Sequence, residues 1–159
     1  MLLQRLGPTQ DAGSLTFGAA LDLQGSFYDD GTFDDRAVFQ IDRLSGTHGV
    51  WWGLVEPNGF RMSFGSRLLA LADNGPAVSF FWNVNAVMSL LSVERGSVAT
   101  TFDPLLDVEQ ARQHAADLPF GEHPAAAAFA LIERWTGVTV TEAWFVGSKP
   151  TFVVYTATP

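Results

Sequence analysis

The sequence predicts one α+β domain, a mainly antiparallel twisted sheet of about five to six strands with about three to five helices packed on it. Three observations predict it. The chain has 159 residues, 47% of them hydrophobic, which is the length of one domain and enough apolar material to fill its core. Pro and Gly are spread as turn punctuation, so no interdomain linker stands out and residues 1–159 read as a single domain. Strand-like segments come first and helical ones later, without the regular βαβ alternation of a parallel sheet.

In chain order, Leu2 to Leu6 reads as the end of a helix, closed by Gly7-Pro8. Ser14 is placed to cap a short helix through Leu15, Phe17, Ala19, Ala20 and Leu21. Ser26 to Asp35 follows as a loop. Ala37 to Leu44 alternates, with Val38, Gln40 and Asp42 on one face and Phe39, Ile41 and Arg43 on the other, which is a strand. After a turn at Ser45-Gly46-Thr47, His48 to Glu56 is a second strand, ended by Pro57-Asn58-Gly59. Ser63 or Ser66 starts a helix with Leu68, Leu69 and Leu71 inward, and Asp73-Asn74-Gly75-Pro76 stops it. Ala77 to Val93 is one long extended stretch, or two strands meeting near Asn83–Asn85. Glu94-Arg95-Gly96 is a hairpin turn, with Ser97 to Asp103 as its return strand. The period then changes. Asp107 to Leu118 is helical, with Asp107 as cap, and Ala125 to Trp135 is a second helix with Pro124 at its first position and Gly137 at its stop. Thr141 to Phe145 adds a helical turn, and Thr151 to Thr156 is a final strand.

Composition narrows the chemistry. There is no cysteine, so disulfides, thiol nucleophiles and cysteine-based metal sites are excluded, and a reducing compartment is favoured. No apolar run approaches the ~20 residues of a membrane span. The opening Met1-Leu2-Leu3-Gln4-Arg5-Leu6-Gly7 lacks the basic and long apolar regions of a signal peptide, so a cytoplasmic protein is expected. The formal charge is −8, from nine basic and seventeen acidic residues, and Lys149 is the only lysine. That balance disfavours nucleic acid and suits either plain solubility or a basic protein partner.

No motif announces a reaction. There is no Walker loop, no HExxH and no GxSxG elbow, and the glycines from Gly59 to Gly65 are too loosely spaced for a dinucleotide turn. The histidines, His48, His114 and His123, are scattered over different segments, and no metal site and no cofactor is expected. Asp29, Asp30, Asp34 and Asp35 lack the spacing of a calcium loop; they read as a solvated loop and as the contact for a basic partner, if there is one. The unusual feature is polar residues inside aromatic strands, in Trp51–Phe60 and Phe80–Ala86. Alternation puts Phe81, Asn83 and Asn85 on one face and Phe80, Trp82, Val84 and Ala86 on the other. Asn is depleted in strands, and a buried amide needs partners at both ends. Asn83 and Asn85 therefore either serve a structural network or point into a polar cleft. Trp52, Glu56, Asn58, Trp82, Asn83 and Asn85 are the candidate ligand-binding set, with rings as walls and amides for orientation.

These same residues carry a resemblance. The stretch Trp52-Gly53-Leu54-Val55-Glu56-Pro57-Asn58-Gly59-Phe60, the stretch Val78-Ser79-Phe80-Phe81-Trp82-Asn83-Val84-Asn85-Ala86, and Thr101-Phe102-Asp103-Pro104 after a Gly hairpin are similar to an uncharacterised domain family of high-GC Gram-positive bacteria. The EPNGF and WNVNA segments are its most specific parts. The resemblance implies one domain in a bacterial cytosol and assigns no activity. It also implies a further N-terminal strand before the Leu-Leu-Gln-Arg-Leu-Gly helix, so an edge strand is expected to be missing here.

Three functional readings follow. The first is a non-enzymatic interaction or accessory domain of the immunity or regulatory type. The second is a small-molecule binding domain that uses the candidate set. The third is a metal-free hydrolase or isomerase using Glu56 or Asp103. No catalytic residue is assigned. A homodimer is open, because an unpaired sheet edge associates readily.

Overall fold

The structure is a computed structural model that describes residues 2–31 and 35–155. Its elements, in chain order, begin with α1 (Leu2–Leu6), β1 (Thr9–Leu15), α2 (Phe17–Asp29), β2 (Arg36–Gly46) and β3 (Gly49–Val55). A 3-10 turn at Arg61–Ser63 leads into α3 (Gly65–Ala72), β4 (Ala77–Trp82), β5 (Met88–Glu94) and β6 (Ser97–Phe102). Then come α4 (Val108–His114), α5 (Pro124–Thr136), α6 (Glu142–Val146) and β7 (Lys149–Tyr155).

The class is α+β with antiparallel strands, as the alternation predicts. The seven strands divide between two sheets, however, ordered β1-β7-β2-β3 and β4-β5-β6, and the described residues form six α-helices. Thr9–Leu15 is a strand that the sequence reading passed over. Its residues, Thr-Gln-Asp-Ala-Gly-Ser-Leu, show no apolar alternation, because this is an edge strand lying mostly in solvent. Among the described residues it pairs only with β7, breaking register between Asp11 and Gly13. The helix cap falls on Thr16 rather than Ser14, its side chain accepting from Ala19 N at 3.3 Å. Thr156, expected in the last strand, lies outside the described residues.

Chain contacts divide into two units, the first comprising Met1–Ser45, Val50–Gly59 and Val140–Pro159, the second Gly46–Gly49 and Phe60–Thr139. In the first unit, the last strand of the chain enters the four-stranded sheet between β1 and β2. Val38 pairs with Val153 and Gln40 with Thr151, so these four side chains share a face. α2 lays Ala20 and Phe27 on that face against Val38 and Val153. Over β3, Gly53 admits the Trp144 ring; a Cβ there would stand 2.9 Å from Trp144 Cζ2 and 2.6 Å from Leu44 Cδ1.

In the second unit the three-stranded sheet is covered on both faces, and the period of two sorts its side chains. Ala77, Leu91 and Val93 pack with Leu68 of α3. Val78, Phe80, Leu90 and Phe102 pack with Ala111 and Ala115 of α4, with Phe120, and with Ala127, Ala128 and Leu131 of α5. Gly137 ends α5 in the left-handed region, at φ +70°. A Cβ at that position would collide with Thr47 Oγ1 and with the backbone N of Thr47 and His48. Glycine is therefore required there twice over, by torsion and by space.

Candidate functional site

The six residues of the predicted ligand set fall in both units. Trp52, Glu56 and Asn58 belong to the first, and Trp82, Asn83 and Asn85 to the second. Trp52 projects from β3 and is exposed. Glu56-Pro57-Asn58-Gly59 is a turn closed by Gly59 N on Glu56 O at 3.3 Å, with Pro57 buried and Asn58 at φ +52°. Asn tolerates that torsion better than other side chains, which accounts for its presence at this turn position. The Glu56 side chain folds over Gly59, leaving no room there for a Cβ.

Asn83 organises the β4–β5 turn. Strand pairing stops at Trp82, so the period of two does not carry through Asn85. Asn83 Oδ1 accepts from the backbone N of Asn85 at 2.9 Å and of Val87 at 3.1 Å. The Asn83 backbone donates to Val87 O at 3.1 Å and accepts from Ala86 N at 3.2 Å. The Asn85 side chain is exposed. Trp82 stacks on Phe80 with centroids 5.2 Å apart and meets Phe129 edge-on at 5.6 Å.

Asp103, the other carboxylate considered for catalysis, is equally committed. Its Oδ1 accepts from Leu105 N at 2.8 Å and Leu106 N at 3.1 Å, and its Oδ2 from Met88 N at 3.4 Å. The Asp103 N–H in turn donates to Asp107 Oδ2 at 2.9 Å. Asp107 thus anchors the start of α4 through Asp103. Both oxygens of Asp103 fasten backbone, and it ties the turn after β6 to the start of β5.

One consequence is a held, apolar end of the three-stranded sheet. Because β4 ends and β5 begins there, and β6 ends there too, residues 83–87 and 103–107 emerge together. Val84 is fully exposed, at 101% of its reference area, and Leu106 is 76% exposed; Trp82, Val87 and Leu105 are also exposed. Of the two readings of Ala77–Val93, the structure forms two strands meeting around Asn83–Asn85. The exposed end they make was missed because alternation put Val84 on a strand face with Phe80 and Trp82.

The acidic segment behaves differently from a free loop. α2 extends through Asp29, and Asp30 follows as its C-cap. Asp30 pairs with Arg36 at 2.5 Å, and that guanidinium lies 4.3 Å over the Phe27 ring. Asp29 and Asp35 are exposed, and Asp34 lies outside the described residues.

Sequence reasoning also missed a buried polar layer in the first unit. Gln24, Gln40, Lys149 and Thr151 are all buried. Gln24 Oε1 accepts from Val38 N, and Gln40 Nε2 donates to Leu15 O, each at 2.7 Å. Lys149 Nζ donates to Phe145 O and Gly147 O at 3.1 Å and stands 4.8 Å from the centre of the Trp144 ring. Trp144 Nε1 donates to Asp42 Oδ2 at 3.2 Å. Burial pushes the Lys149 ammonium below the ordinary lysine value of 10.5, and the Asp42 charge partly restores it. Its protons are directed at carbonyls closing α6, so this lysine clamps a helix end rather than offering a lone pair. The available signals were Gln40 and Asp42 on one face of an otherwise apolar strand, and the solitary lysine. Among the described residues no group of three His, Asp or Glu side chains could hold a metal ion, and no helix is long and apolar enough to cross a membrane.

An α+β chain with two antiparallel sheets and side chains spent on its own turns defines a class by architecture rather than by reaction. The model of a family of unknown function (DUF6461) matches residues 2–120. The chain belongs to this family. The match ends ahead of α5, α6 and β7, which supply part of the second unit's core and an inner strand of the four-stranded sheet. No curated protein and no solved structure matches the chain.

Proposed function

We propose that this protein is a cytoplasmic, non-enzymatic bacterial accessory domain, of the immunity or regulatory type, that acts by binding a basic protein. The observation that carries this reading is the burial of its only lysine. With Lys149 turned inward onto Phe145 O and Gly147 O, the surface is more acidic than the formal charge of −8 states. Pairing of Arg36 with Asp30, Arg112 with Glu109 and Arg134 with Asp117 removes charges two at a time and leaves the excess in place. A field of that sign speeds encounter with a cationic protein and opposes association of two copies of this chain.

The test is retention on the immobilised protein. Lysate of the source bacterium is passed over it at low salt and eluted by raising the salt. One predominant basic protein, released as salt screens the attraction, is the expected result. An acidic partner, salt-insensitive retention, or a homodimer in light scattering with nothing retained would overturn the reading.

A further inference from the structure

We infer that the end of the three-stranded sheet formed by residues 82–87 and 103–107 is the docking surface, and that its partner presents an apolar surface rimmed by Arg or Lys. This rests on the reading of the protein as a binder of basic proteins and gives that reading a place. Three observations carry it.

The first is exposure. Trp82, Val84, Val87, Leu105 and Leu106 are large apolar side chains exposed at one end of one sheet. Single exposed apolar residues are ordinary, whereas five at one structural end mark a contact.

The second is order. Asn83 holds the β4–β5 turn through two side-chain bonds, and Asp103 fastens both segments through three. Ala86 is kept at φ +58°, a torsion unfavourable for a residue with a Cβ. A surface already fixed in one shape loses little freedom on binding.

The third is charge. The stretch from Trp82 to Met88 carries none, and residues 103–107 carry Asp103 and Asp107 with no basic residue, the next charges along the chain being Glu109 and Arg112, which pair with each other. An apolar centre bordered by carboxylates complements an apolar surface bordered by cations. A second copy of this chain would bring the same carboxylates face to face, which disfavours self-pairing here.

The experiment uses the full chain with methyl-labelled Val and Leu. The probe is a synthetic amphipathic helix with one leucine face and an arginine rim, against a control peptide in which glutamate replaces arginine. The expected result is salt-sensitive binding of the arginine peptide, with methyl shifts confined to Val84, Val87, Leu105 and Leu106. Val84→Asp and Leu106→Asp, both at exposed positions and checked for an unchanged Tm, should each weaken binding about tenfold. Binding of the arginine peptide that both variants leave intact would overturn this placement and leave the wider reading standing. No binding of the arginine peptide, or equal binding of both peptides, would overturn both.

Discussion

Gln24 on α2 accepts the backbone N–H of Val38 on β2 at 2.7 Å, with both residues buried. A helix side chain thus completes the hydrogen bonding of a strand it packs against. The arrangement is not free of cost, since among the described residues Gln24 Nε2 and Gln40 Oε1 are buried without hydrogen-bond partners. Gln24→Ala leaves the Val38 N–H without its acceptor, at a cost of about 1–3 kcal/mol, and loses packing as well. Gln24→Met keeps the packing and removes the unpartnered amide nitrogen together with the acceptor. We expect Gln24→Ala to lower the urea midpoint clearly and Gln24→Met to lower it less. Equal midpoints for wild type and Gln24→Ala would show that the bond contributes nothing.

Asn83 gives a prediction that separates a turn role from a ligand role. Its Oδ1 serves Asn85 N and Val87 N, and an aspartate supplies the same acceptor. Asn83→Ala should speed amide exchange at Asn85 and Val87 and cost about 0.5–1.5 kcal/mol for each bond lost. Asn83→Asp should restore slow exchange at both. Unchanged exchange in the alanine variant would point away from the turn.

How much of this was legible in the sequence follows from the range of the interactions. The alternation of Val38, Gln40 and Asp42 is local, and it put these three on one face of β2 correctly. The caps and stops at Pro124 and Gly137 are local too, and α5 runs between them as expected. Nothing local marks Thr9–Leu15 as a strand, because its stabilising partner is β7, at the far end of the chain. Lys149 is buried through Phe145 O, Gly147 O and the Trp144 ring, whose positions depend on α6 folding back before β7. In the candidate set, residue types were legible, but local pattern did not decide between a structural and a ligand-facing duty. The sequence left Asn83 open between a structural network and a polar cleft, and its side chain is bonded to its own turn, while Asn58 sits at a turn torsion suited to Asn.

Lys149 sets an alkaline signature. Its folded value lies below the ordinary 10.5, with burial the main cause, so the folded state binds fewer protons than the unfolded state between the two values. The unfavourable contribution is therefore fully present below the folded value and is relieved as pH rises towards 10.5. Urea midpoints of wild type and Lys149→Met, compared from neutral to alkaline pH, should show a rise in the wild type that the variant lacks. Parallel profiles would mean that the ammonium is solvated as in the unfolded chain.

Asp117 and Arg134 set the opposite, acidic signature. Arg134 Nη1 donates to Asp117 Oδ1 at 2.7 Å, and Nη2 donates to Oδ2, a two-point clasp between the turn after α4 and the last turn of α5. The Arg134 bond, opposed by desolvation, holds the Asp117 carboxyl down at about 2 against an ordinary 3.8. A depressed carboxyl contributes stability that is complete above 3.8 and is lost as pH falls towards about 2. Both side chains are substantially exposed, so solvent and salt weaken the clasp, and its effect should be modest. The expected outcome is that wild type exceeds Asp117→Asn in thermal midpoint at neutral pH and low salt. The gap should narrow when salt is added and close as pH falls through the same interval. A gap that persists at pH 2 in low salt would assign the stabilisation to packing of the turn rather than to the charge of Asp117.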